Sequence, residues 1–117
     1  MITRLLQFAG WACVITIVAL SLVSPSVRPV TGAPHNFEHA AIFAITGLML
    51  GLGYPNRIRL QMCALIVFAG AIELAQLYVP GRHARVIDFV VDALTACAGV
   101  AFAAVLLRLR ALMGETG

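Results

Sequence analysis

Lysine is absent: all eight basic side chains of this 117-residue chain are arginine, against five acids. The arginines are scattered, with no basic run and no interleaved aromatics, which excludes a nucleic-acid interface. A net charge of +3 then reports loop arginines rather than an anionic polymer as partner. Charge of either sign is scarce, at 11% of residues, and that excludes an ordinary soluble domain. The cysteines, Cys13, Cys63 and Cys97, lack CxxC or any related spacing. A disulfide framework and a cysteine metal cage are excluded, and all three are expected to be small buried packing residues. No activated serine or cysteine motif is present.

What is present is apolar: 62% of residues are hydrophobic and the mean hydropathy is +0.98. Only a membrane protein fits, and a chain this short makes a single domain over residues 1–117. Leu5–Val23 follows Arg4 and reaches ~28 Å as a helix, close to the ~30 Å hydrocarbon core. A cleaved signal peptide is the rival reading, but an apolar region of ~7–15 residues would be shorter than this one.

SPSVRPVTGAPHN, residues 24–36, interrupts helix with three prolines and a glycine and reads as an exposed loop. A second span is expected over about 37–54, with Asn36 as N-cap and Glu38 in the first turn at the positive end of the helix dipole. Tyr54-Pro55-Asn56 then makes a short turn between antiparallel helices, and a third span runs over about 60–79. Tyr54 and Tyr78 suit an interfacial aromatic belt. After the PGRHAR turn a fourth span covers about 86–107, stopped by Arg108 and Arg110 and followed by a short disordered tail. The expected fold is all-α, a four-transmembrane-helix bundle. Arg4, Arg57, Arg59, Arg108 and Arg110 on the terminal side outnumber Arg28, Arg82 and Arg85, so the positive-inside rule makes both termini cytoplasmic.

The stretch 71–92, AIELAQLYVPGRHARVIDFVVD, places charge where an apolar chain has no use for it. Glu73 and Gln76 share one face of the third span. Asp88, Asp92 and Thr95 share one face of the fourth, and His39, Phe43 and Thr46 one face of the second. All belong to the outer end of the bundle. An ionised acid at membrane depth costs about 2.5–3.5 kcal/mol, so these acids must be paired, protonated or wetted. Arg82 and Arg85 are the expected partners.

Two readings follow from the residues. One is a buried network of salt bridges and hydrogen bonds that sets helix register in a structural membrane subunit. The other is a site, because Arg82, His83 and Arg85 leave more donors than internal pairing needs and two arginines can grip a phosphate. The ligand set is then Arg82, Arg85, Glu73, Gln76, His39, Asp88 and Asp92. In a variant of that reading the protein is an enzyme acting on a phospholipid or polyprenyl-phosphate headgroup, with Glu73 or His39 as general base. His35 to His39 matches H-x-x-E-H, a zinc-peptidase pattern, but Pro34 sets His35 at the helix edge and a third ligand would have to be borrowed. Neither a metal nor another cofactor is therefore expected. Thr95, Gly99 and Ala103, like Gly47 and Gly51, read as helix-packing faces.

The chain resembles the VanZ-like family of small bacterial membrane proteins over residues 35–99. The resemblance rests on Glu73, Gln76, Pro80-Gly81-Arg82, Asp88 six residues after that arginine, Gly99, and His39 at the opening of the second helix. It departs from the family pattern at His35 and Asn36 (aspartate and lysine there), Phe43 (tyrosine), Asp92 (asparagine) and Thr95 (glycine). The resemblance implies a multi-pass protein of the bacterial inner membrane, with name-giving members that assist resistance to teicoplanin outside the membrane. The expected partner is a membrane lipid or lipid-linked wall precursor, and a second copy of the chain is a candidate to close the pocket.

Overall fold

The computed structural model describes residues 2–22, 35–78 and 86–116, with backbone alone for His35, Asn36, Phe37, His39, Glu115 and Thr116. Among the described residues there are four α-helices and no strand: α1 (Ile2–Leu22), α2 (His35–Gly53), α3 (Ile58–Gln76) and α4 (Val86–Thr116). The all-α expectation holds. α1, α3 and the Val86–Gly114 part of α4 are long and apolar enough to cross a membrane, whereas the apolar stretch of α2, Ala40–Gly53, is shorter.

Local chemistry accounts for most helix ends. Pro55 and Asn56 break the chain after α2, and the turn closes with the Arg57 amide donating to the Tyr54 carbonyl at 3.3 Å. α3 ends earlier than the apolar pattern suggests, at Gln76. The Leu77 and Tyr78 amides turn back onto Leu74 O (3.2 Å) and Ala75 O (3.1 Å), a tightened last turn that satisfies terminal carbonyls. α2 begins at His35, so Asn36 lies inside its first turn and is not the N-cap. Glu38 does occupy that first turn.

The fourth helix overturns a further expectation. Arg108 and Arg110 do not stop it, and the supposed disordered tail continues it to Thr116. Arginine, leucine, alanine and methionine are all strong helix formers, and charge ends the apolar span without ending the helix. At 31 residues α4 reaches ~46 Å, well past the ~30 Å of hydrocarbon, and it runs most of the 55 Å length of the molecule.

α2 and α4 form the central pair, running parallel, with α1 antiparallel against α2 and α3 antiparallel against α4. Small residues permit the central crossing. A methyl added at Gly47 would overlap the Ala96 carbonyl oxygen, one at Gly99 would overlap the Ala44 carbonyl oxygen, and one at Gly51 would stand 2.6 Å from the Ala103 Cβ. The backbones therefore touch, which is the packing open to helices in lipid, where no hydrophobic drive brings them together. Thr95 lies beside this face and is half-buried.

The core follows the seams: Ile17, Phe43, Leu65, Ala69, Ile72, Ala96 and Val100 are buried, and the Phe43 and Phe68 rings stand 6.0 Å apart, tilted by 40°. Large apolar side chains such as Phe8, Val67, Leu74 and Phe102 are exposed on the outside. None of the three cysteines is buried as expected: Cys13 and Cys97 are half-buried, and Cys63 is exposed, because its face of α3 looks outward.

Candidate functional site

Helix directions bring the sequence-predicted residues to one end. Ala44 of α2 faces Gly99 of α4, and Gly70 of α3 faces the Phe89 ring of α4, which a methyl added at Gly70 would meet at 3.5 Å. The N-terminal turns of α2 and α4 and the C-terminal turns of α1 and α3 therefore share an end. His39, Glu73, Gln76, Asp88 and Asp92 all belong to it.

Burial separates these residues. Asp92 is fully buried, Glu73 is 7% exposed and Gln76 4%. Asp88, in the first turn of α4, and Glu38 are half-buried. Phe43, the partner of His39 on the predicted face, is fully buried, while the His39 side chain lies outside the described residues. Arg82, His83 and Arg85 also lie outside them. The chain leaves α3 and enters α4 at this same end.

Two threonine hydroxyls, one buried and one half-buried, bond within their own helices. Thr46 is fully buried and donates to the Ile42 carbonyl at 2.7 Å, and Thr95 donates to Val91 O at 2.9 Å. Such bonds to the preceding turn satisfy a hydroxyl inside a helix. Ser21 of α1, 2% exposed, was not singled out by sequence reasoning, although a serine at the end of an apolar run is a visible signal.

Chemically, this end combines carboxylates withdrawn from water with an amide and hydroxyls. A buried carboxylate needs a cation, a proton or several donors, and neither Glu73 nor Asp92 is without an interaction partner. Among the described residues no three His, Cys, Asp or Glu side chains converge as a metal site would require, and the H-x-x-E-H histidines have no described side chains.

The opposite end carries hydrogen bonds that the sequence reading missed. Gln7 Nε2 donates to Gly53 O at 2.9 Å, Trp11 Nε1 to Tyr54 Oη at 3.0 Å, and Gln61 Nε2 to the Tyr54 carbonyl. Tyr54, expected as a belt residue, thus ties α1 to the end of α2. Gln7 and Gln61 are isolated amides in apolar helix, which was the available signal. No family model, curated protein or solved structure matches the chain.

Proposed function

We propose that the chain is a multi-pass protein of the bacterial inner membrane, of the VanZ-like type, whose polar end binds the phosphate or headgroup of a lipid or lipid-linked cell-wall precursor. One observation carries the reading: Glu73, Gln76 and Asp92 are buried at the end of the bundle where α1 and α3 finish and α2 and α4 begin, and Ser21 of α1 is buried at that end too. An acid at membrane depth is costly to keep without a task, and intramembrane ionisable groups mark ligand and proton sites. In this reading Arg82 and Arg85 grip the phosphate, and Glu73, His39, Asp88 and Asp92 orient them. Four spans with both termini in the cytoplasm, as the arginine bias favours, turn this end outward, the side on which teicoplanin acts.

The test is native mass spectrometry of the protein extracted from its own membrane, run beside Arg82→Gln and Glu73→Gln with helix content checked by circular dichroism. A lipid-phosphate adduct present in the parent and lost in Arg82→Gln is the expected result. If the parent carries no such adduct, the acids are a register-setting network and the binding reading falls.

A further inference from the structure

The end opposite the buried acids holds a cavity that the proposed function does not use. α3 packs on α4 and barely reaches α1 or α2, so a space of about 730 Å³ opens between α1, α2 and α3. That volume lies within the ~300–1,000 Å³ typical of small-molecule sites. Its depth is apolar, walled by Val14, Leu65 and Phe68, and its polar groups are Trp11, Tyr54, Arg57 and Gln61.

Each polar group has a definite hydrogen-bonding state. Tyr54 Oη accepts from Trp11 Nε1, which leaves the tyrosine's own hydroxyl proton to donate. Arg57 is exposed and makes no ion pair among the described residues. The acids with described side chains, Glu38, Glu73, Asp88 and Asp92, all belong to the other end. Gln61 is 8% exposed, and its amide orientation is set because Nε2 donates to a carbonyl that can only accept. Its Oε1 is buried with no hydrogen-bond partner. A buried acceptor without a donor is unfavourable, so this atom asks for a donor from a ligand.

The order of these groups along α3 selects the ligand. Arg57 and Gln61 are one helical turn apart, about 6 Å along the axis, and Leu65 and Phe68 follow one and two turns deeper. A molecule that fits carries an anion, then a hydroxyl about one turn inside it, then an apolar chain. We propose that the cavity binds a lysophospholipid, with its phosphate on Arg57 and the Tyr54 hydroxyl, its free glycerol hydroxyl donating to Gln61 Oε1, and its single acyl chain along Val14, Leu65 and Phe68. A diacyl lipid has that glycerol oxygen esterified, so it brings an acceptor to an acceptor and a second chain to a space for one. The site is independent of the acidic end.

Trp11 is the chain's single tryptophan and lines the cavity, so the site carries its own probe. Purified protein in non-ionic detergent is titrated with lysophosphatidylcholine and with an alkylphosphocholine of equal chain length, both brominated in mid-chain, and quenching of Trp11 emission is followed. The two probes share the phosphate and choline and differ at the glycerol hydroxyl. The lysolipid is expected to bind about tenfold tighter, as one satisfied buried acceptor implies. Gln61→Leu is expected to erase that difference, Arg57→Gln to weaken both probes, and Arg57→Lys to restore them partly. Equal quenching by the two probes in the unmodified protein, no saturable quenching, or equal competition by diacyl phosphatidylcholine would each overturn the assignment, and none of these results depends on a variant folding.

Discussion

At one end of the bundle Asp92, Glu73 and Gln76 are buried within the helix seams; at the other Arg4, Arg57 and Arg59 stand exposed beside an open apolar cavity. The acidic end is closed by helices that pack closely, α2 on α4 and α3 on α4. The arginine end is loose because α3 has little contact with α1 and α2 and a cavity separates them there. A carboxylate has a short stem and must be met by partners brought to it, whereas an arginine reaches the interface on its own flexible stem. The same four helices therefore hold buried polar groups at one end and an open cavity at the other.

The comparison is broken most completely at the crossing between the two ends. Gly99→Leu would drive a side chain into the Ala44 carbonyl, and because the obstacle is backbone the cost is expected at or above the ~1–3 kcal/mol of ordinary overpacking. Thermal unfolding in detergent should show both ends lost together. Gly70→Ala is the control, since its new methyl meets the Phe89 ring at an ordinary 3.5 Å and alanine is favoured over glycine inside a helix by about 0.5–1 kcal/mol, so stability should hold level or rise.

Asp92→Ala against Asp88→Ala sharpens the contrast within the acidic end. Loss of the fully buried acid strands the groups that meet it and should cost about 1–3 kcal/mol, while the half-buried acid one turn away should cost about 0.5 kcal/mol or less. Equal costs would mean that burial does not separate the two.

At the arginine end, Tyr54→Phe removes the acceptor of the Trp11 indole. Its expected cost is about 0.5 kcal/mol, because the bond is exposed, together with a shift of Trp11 emission. An unshifted spectrum would show that the bond is not made in the membrane. The smallest effect on unfolding belongs to Leu109→Pro. It should end α4 near Arg108 and lower helical ellipticity while hardly moving the melting temperature, since Leu109, Leu112 and Met113 are exposed. A large drop in melting temperature would mean that the last turns of α4 bear on the bundle.

Much of this was legible along the chain. The apolar runs give the helices to within a few residues except at the end of α4, which runs nine residues further, and helical spacing groups Glu73 with Gln76 and Asp88 with Asp92. Alternating helix direction then sends them to one end. The misses have local causes too: Arg108 and Arg110 end an apolar run but not a helix, and the outward face of α3 leaves Cys63 exposed where burial was expected.

By itself the sequence determined the class, the helices and the end at which the acids collect, because each of these depends on neighbours within a turn or two. Only the tertiary structure decided that α2 pairs with α4 through Gly47 and Gly99, that α3 flanks α4 and so leaves a cavity beside α1, and that Gln61 spends its amide protons on Tyr54 and keeps a bare oxygen. The helix pairings depend on which helices approach and how closely, a choice made between residues from 19 to 55 positions apart in the chain, and the Gln61 bond depends on how the turn after α2 sets the Tyr54 carbonyl against α3.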